Sequence, residues 1–368
     1  MTLPPLSLYI HYPWCVKKCP YCDFNSHQQQ GNNDAIYIQA VLADLENQLQ
    51  DNLLQGRTIQ SIFIGGGTPS LCTIEAMKML FLGLRKTLDF AQDIEITLEA
   101  NPGTTDKNKF AELRKLGINR LSIGVQSFNN KHLKNLGRIH SSQQAVEAIN
   151  QAKAVGFDNI NIDLMFGFEG QSVAECLADV QQAIDLQPAH ISFYQLTIEP
   201  NTFFAKHPPK LEAETNWEMH NQGQKLLAKS NFPQYEVSAF SKRPAKHNLN
   251  YWQFGDYLGI GAGAHGKITI DNKIMRSMQS KSPKDFIENN QNKTQLVDKI
   301  GFEFMLNALR LKAGFAPDLF TSRTGLTLAD IQKPLQKGID LGLLERKKNI
   351  KTTAKGFDFL NDCQVLFL

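Results

Sequence analysis

The chain has 368 residues, 42% hydrophobic and 20% charged, proportions of a folded globular protein that exclude disordered and fibrous classes. That length can bury a full core and points to a large domain with a smaller one beside it. A formal net charge of +3 is too small to imply nucleic acid or an anionic membrane as a partner. The stretch from Met1 to Pro13 lacks a charged start followed by a long apolar run, so no secretory signal is expected. No run approaches the ~20 apolar residues of a membrane helix. These readings predict a cytoplasmic protein without an integral membrane segment. In that compartment the six cysteines suggest metal or redox sites rather than a disulfide framework. Scattered Cys72, Cys176 and Cys363 read as buried and inert.

In chain order, Ser7–His11, Ser61–Ile64, Ile94–Leu98, Leu121–Val125, Ile160–Phe166 and His190–Leu196 are rich in β-branched and aromatic residues and are expected as strands. Between them Ala35–Gln50, Thr73–Thr87, Asp106–Leu116, Ser142–Val155 and Ser172–Leu186 carry helical patterns. Ser172 and Glu175 form a capping-box spacing, and Gly117 and Gly156 sit just past helix ends. Strand–helix alternation of this kind requires parallel strands joined by right-handed crossovers. Both an open doubly wound sheet and a full or partial barrel satisfy it.

Residues 1–235 are expected to form this core. A second stretch, 236–295, holds an aromatic- and glycine-rich segment and a hairpin over Gly266–Met278 with Asp271-Asn272 at its turn. Residues 296–368 read as helical over Gly301–Leu311, Pro317–Thr324 and Leu328–Leu341. Basic Arg346–Lys348 and a strand-like Asn349–Thr353 follow, an order that suggests a winged-helix-like module.

The chemistry concentrates in Cys15-Val-Lys-Lys-Cys19-Pro-Tyr-Cys22, directly after the first strand. A C-x2-C pair alone also serves zinc sites and redox pairs. A structural zinc site asks for four ligands, and no second C-x2-C or paired histidine spacing occurs. Three thiolates instead suit a [4Fe–4S] cluster, holding three irons and leaving the fourth open to a small molecule.

With the preceding Tyr9-Ile-His-Tyr-Pro-Trp14, this array resembles the radical S-adenosylmethionine (SAM) superfamily, in the branch of the oxygen-independent coproporphyrinogen III oxidases and the HemW heme chaperones. The resemblance covers nearly the whole chain and implies an α/β fold, a partial (β/α)6 barrel of the TIM-like, radical SAM type, with a smaller, mainly helical C-terminal domain. Gly65-Gly66-Gly67-Thr68-Pro69 follows the second strand. Its glycines let a backbone approach a ligand closely and offer N–H groups to it. In similar proteins Tyr9, Gly66 and Glu99 match one SAM site, and Gly67, Thr68, Gln126, Arg138 and Asp163 match positions of a second SAM. Glu99, Gln126 and Asp163 stand at or near strand ends, where parallel α/β barrels bind ligands. Gly261-Ala-Gly-Ala-His-Gly266 formally fits a dinucleotide motif but precedes a strand, which argues against that use.

Two departures separate this chain from the oxidases: Phe24 stands where they carry a fourth cysteine, and only fourteen residues precede Cys15. His247-Asn-Leu-Asn-Tyr-Trp252 resembles the heme-binding motif of the heme chaperones, with His247 as candidate iron ligand on an exposed loop and Tyr251 and Trp252 as packing partners. The expected function is a heme chaperone that uses heme, a [4Fe–4S] cluster and SAM and passes heme to an acceptor protein, which the family implies to be respiratory. The alternative is oxygen-independent coproporphyrinogen III oxidation.

Overall fold

In the computed structural model, which describes residues 1–29, 31, 33–49, 54–289 and 292–368, six expected strands form one parallel sheet. They are β1 (Leu6–Tyr12), β2 (Ile59–Gly66), β3 (Phe90–Ala100), β4 (Arg120–Gln126), β5 (Asn159–Phe166) and β6 (His190–Gln195). Each pairs in parallel with the next.

Side-chain alternation gives the sheet two different faces. Leu8, Ile10, Ile62, Ile64, Leu98, Ile123 and Ile162 point outward and are buried in the main hydrophobic cluster. Each such aliphatic side chain stabilises the fold by roughly 1.5–3 kcal/mol. They pack beneath α1 (Asp34–Leu49), α2 (Ile74–Thr87), α3 (Lys107–Lys115), α4 (Ser142–Ala154) and α5 (Val173–Asp185). The expected end of the first helix at Gln50 lies outside the described residues. Side-chain oxygens start most of these helices: Thr73, Asp106, Ser141 and Ser172 each accept a backbone N–H, and Ser172 with Glu175 forms the expected capping box. The inward face is polar, with Ser7, Ser61, Thr97, Arg120, Ser122, Asn161, Asp163, His190 and Ser192 along it. Ser7 Oγ and Ser61 Oγ hydrogen bond across β1 and β2 at 2.8 Å.

The sheet does not close. Strands β7 (Gln234–Glu236) and β8 (Ala239–Ser241) extend it past β6, after α6 (Ala213–Lys229). Beyond β1 it continues through β9 (Asp256–Ile260), β10 (His265–Ile270), β11 (Lys273–Met278) and β12 (Lys293–Leu296). The sheet therefore runs in the order β12-β11-β10-β9-β1-β2-β3-β4-β5-β6-β8-β7. Strand β9 runs parallel to β1, one more parallel strand than the periodicity indicated. The expected hairpin is β10–β11, and Asp271 and Asn272 turn it with φ of 48° and 59°.

A short helix, α7 (Lys246–Trp252), seals the amino-terminal end of the half-barrel. Lys246 Nζ pairs with Asp93 at the start of β3, and the His247 N–H donates to Glu95 Oε1 at 3.2 Å. The C-terminal stretch has its own apolar cluster centred on Phe304. Its ring packs edge-on against Phe254, Phe315 and Phe320 at 4.9–5.6 Å. Three helices (Ile300–Ala308, Pro317–Thr324 and Gln332–Asp340) are followed by a two-stranded hairpin of Leu344–Arg346 and Ile350–Thr352. From this part, the Arg310 guanidinium lies over the Trp252 ring at 4.3 Å and pairs with Glu236 at 3.0 Å. No helix among the described residues is long and apolar enough to cross a membrane.

Candidate functional site

The cysteine loop leaves β1 at its carboxyl end and is fastened at several points. Trp14 and Cys15 bridge to His27 and Gln28 as a short parallel pair. The Cys22 N–H donates to Cys19 O at 3.1 Å, closing the turn between them. Asn25 ties the loop to the far side of the sheet: its side chain donates to Ala262 O at 2.9 Å and Lys281 O at 2.8 Å. Its own carbonyl takes a bond from His11 Nε2 at 2.8 Å. Nothing in the cysteine spacing announced Asn25, whose side-chain acceptors on Ala262 and Lys281 lie more than 200 residues away in sequence.

Cys15, Cys19 and Cys22 all open onto one cavity of about 530 Å³ at the carboxyl ends of the strands. Gly67, Thr68, Glu99, Gln126, Arg138 and Asp163 line the same cavity. Tyr9 and Gly66 stand one layer behind it. Tyr9 Oη hydrogen bonds with His11 Nδ1 at 2.9 Å, and the Gly66 N–H donates to Glu99 Oε2 at 3.0 Å.

The glycine motif works differently from the expectation that its N–H groups serve a ligand. Gly66 donates to Glu99, Gly67 N–H to Tyr12 O at 2.7 Å and Thr68 N–H to Trp14 O at 2.8 Å. All three donors are spent on the protein, so the motif's contribution is close approach. Gly66 has φ +116°, and a Cβ there would lie 2.5 Å from His11; a Cβ on Gly67 would lie 2.5 Å from Trp14 O. Larger residues would push the cysteine loop off β2.

Charges in the cavity are strongly perturbed. Burial, reinforced by nearby Asp163, pushes the Glu99 carboxyl up to about 8, while the Gly66 N–H pulls the other way. Asp163 is raised by burial too, and bonds from Asn161 and Ser122 at 2.8 and 3.0 Å oppose this. Burial raises the Cys15 thiol, with Thr68 and Ser26 hydroxyls acting against it. Gln126 ends β4 in the left-handed region at φ 69°, a strained conformation for a non-glycine residue. The Tyr194 hydroxyl donates to Gln126 Oε1 at 2.9 Å and helps hold it there. Tyr194 was not among the sequence candidates. Its signal was the inward parity of β6.

Arg138 reaches the cysteine loop from the segment after β4. Its Nη2 donates to Gly124 O at 2.7 Å, and Nη1 points to Cys19 Sγ at 3.7 Å and Tyr21 Oη at 3.5 Å. Three thiols beside a guanidinium and two hydroxyls are a donor set that fits an anionic iron–sulfur cluster. Among the described residues no group of three Cys, His, Asp or Glu side chains converges on a single metal ion. A cubane asks for a different arrangement, one thiolate to each of three irons.

His247 is the clear correction. It lies on α7, not on an exposed loop, and is 1% exposed. Nδ1 hydrogen bonds with Ser61 Oγ and Nε2 with Tyr251 Oη, each at 2.9 Å, and the ring packs on Phe63 at 5.2 Å. Burial, with the Arg120 charge adding to it, pulls its pKa down to about 3. His247 does not line the cavity, although its neighbour Asn248 does. The polar string H-N-x-x-Y-W reads as surface because its partners are themselves polar groups inside the barrel.

An open parallel sheet with a three-thiol loop at its carboxyl ends has the organisation of a radical SAM protein, and residues 9–183 match the model of the Radical SAM superfamily. Residues 298–359 match the HemN C-terminal domain. The Heme chaperone HemW of Escherichia coli (strain K12) is 46% identical over 380 residues, covering 100% of this chain and 99% of that protein. The Heme chaperone HemW of Haemophilus influenzae is likewise 46% identical, over 377 residues, covering 100% of this chain and 98% of that protein. The chain belongs to the HemW family. Its fold is similar to that of the coproporphyrinogen III oxidase HemN from Escherichia coli, with a TM-score of 0.83 at 22% identity, covering 99% of this chain and 90% of that one.

Proposed function

We propose that this protein is a heme chaperone that carries a [4Fe–4S] cluster on Cys15, Cys19 and Cys22, binds SAM and heme, and passes heme to an acceptor protein, with a respiratory protein as the class of acceptor and the cytoplasm as the place. The observation that carries the proposal is full-length similarity to proteins named for that role, together with three thiols gathered on one cavity. Bound there, a cluster with SAM at its open iron supplies one-electron chemistry.

The chain's own residues position and shield. Tyr9, Gly66 and Glu99 are assigned to one SAM, and Gly67, Thr68, Gln126, Arg138 and Asp163 to a second. Glu99 Oε1 makes no hydrogen bond among the described residues and is available to a ligand hydroxyl or ammonium group. Helix α7 closes the inner wall at its amino-terminal end through His247, Ser61 and Glu95.

His247 is proposed as the heme ligand. Its low pKa keeps the imidazole neutral, the form that ligates iron. Both ring nitrogens are engaged with Ser61 and Tyr251, so ligation requires α7 to leave the end of the half-barrel. The test is anaerobic reconstitution with iron and sulfide, followed by heme titration and assays for 5′-deoxyadenosine and porphyrin product on one sample. Stoichiometric heme binding without conversion of coproporphyrinogen supports the chaperone. Efficient conversion to protoporphyrinogen would establish the oxidase alternative instead.

A further inference from the structure

The inner wall of the half-barrel contains a cation that, among the described residues, has no ion-pair partner. Arg120 opens β4 with its side chain inward, lines the cavity and is 2% exposed. Nη1 makes one long bond, 3.4 Å to Thr97 Oγ1, and Nε is buried without any partner. Among the described residues no carboxylate lies within ion-pair distance of it. Asp163 and Glu95 share the inner face without making an ion pair to Arg120, although the Arg120 charge acts to lower the Asp163 carboxyl. Asp163 takes bonds from Ser122 and Asn161, and Glu95 takes the His247 N–H. His190 and His247, also facing inward, are held neutral by burial, with the Arg120 charge as the second cause.

A buried guanidinium without an ion pair is costly, and the more distant Asp163 carboxyl offsets that cost only in part. Groups that suit an anion's other contacts share the cavity with it: Ser192, Asn248 and Ser238 also line it. Depth then restricts what the anion belongs to. Arg120 and Gln126 are the two ends of β4, roughly 20 Å apart at the usual rise of a strand. A molecule tethered at the cysteine loop by its own carboxylate does not reach Arg120 with that same group.

We propose that Arg120 anchors the carboxylate of a second ligand that lies in the half-barrel below the molecule at the cysteine loop. Two sources share this chemistry, a carboxylate arm of a tetrapyrrole and the amino-acid end of a second SAM. The proposal rests on the heme-chaperone reading only in its choice of tetrapyrrole probe.

The experiment uses the reconstituted full chain with Arg120→Met and Arg120→Lys. Binding is measured for metal-free coproporphyrin against its tetramethyl ester, and for the second equivalent of SAM against its decarboxylated analogue. Removing a buried charge-assisted contact weakens the carboxylate form about tenfold or more, whereas the lysine variant keeps most of the affinity. The ester or decarboxylated form binds wild type and Arg120→Met alike. Loss in the porphyrin arm identifies the tetrapyrrole; loss in the SAM arm identifies SAM. Equal binding of both carboxylate probes to wild type and Arg120→Met, or no binding of either to wild type, overturns the proposal. Thermal melting without ligand gives a second readout: Arg120→Met melts at or above wild type if the cation is there for a ligand. A lower melting temperature or failure to fold makes it structural and overturns the proposal. Heme retention by wild type, measured alongside, reports on the chaperone reading separately.

Discussion

Arg138 Nη1 stands 3.7 Å from Cys19 Sγ while Nη2 is fixed by the carbonyl of Gly124 at 2.7 Å. A guanidinium held this way, half-buried in the cavity wall, places a fixed positive charge beside the proposed cluster. Reduction adds negative charge there, so the cation favours the reduced form. Arg138→Met should make the reconstituted centre harder to reduce. Potentiometric titration followed by electron paramagnetic resonance checks this, with iron content confirming that the centre is retained. Arg138→Lys, which keeps the charge without the forked geometry, should recover part of the difference.

His247→Ala removes two hydrogen bonds and a ring contact, leaving the Tyr251 hydroxyl without a partner and Ser61 with Ser7 alone. An unsatisfied group costs about 1–3 kcal/mol, so the variant should unfold at lower denaturant even without heme. If His247 also ligates iron, heme affinity falls by more than a stability-matched control such as Ser61→Ala. Denaturation and heme titration on both variants separate the two roles.

Asp179 offers a pH test away from the site. Its carboxylate accepts bonds from the Ser127 hydroxyl at 2.6 Å and the Phe128 N–H at 2.8 Å, yet burial raises its pKa from 3.8 to about 6. Below about pH 4 it is protonated in both folded and unfolded chains and contributes no difference. Between about 4 and 6 the folded chain holds the proton that the unfolded chain has released, so stability falls as pH rises through that window. The change is up to about 3 kcal/mol and levels off above it. Asp179→Asn, which can still accept from Phe128, should remove this slope. Denaturation of both chains across that range measures it as their difference.

Much of this architecture could be read from the residues. The six strands and their helices were legible because capping side chains and aliphatic alternation mark them locally, as at Ser172–Glu175. Strand β9 was not, since its partner β1 lies some 250 residues earlier and Asp256–Ile260 is a short piece amid glycine and aromatics. The three cysteines were legible through spacing alone. Asn25, Tyr194 and Arg120 were not, because each acquires its meaning from where its side chain points across the sheet. His247 shows the reverse error, in which a polar string was taken for surface although the interior it enters is polar.

Gly66→Ala tests the close approach of β2 to the cysteine loop. The added methyl meets His11 at 2.5 Å on a backbone with φ +116°, so a loss of about 1–3 kcal/mol is expected. Iron retention after reconstitution should fall with it, because His11 supports the loop through Asn25. Equilibrium denaturation and iron analysis check the two effects.

Helix α7 has one end in each half of the molecule. His247 is plugged into the barrel wall at Ser61, and Trp252 lies under Arg310 from the C-terminal part. Pulling the C-terminal part away therefore drags on the stopper, and dislodging the stopper frees Trp252. The floor of the half-barrel and the neighbouring module are thus fastened to each other through one short helix.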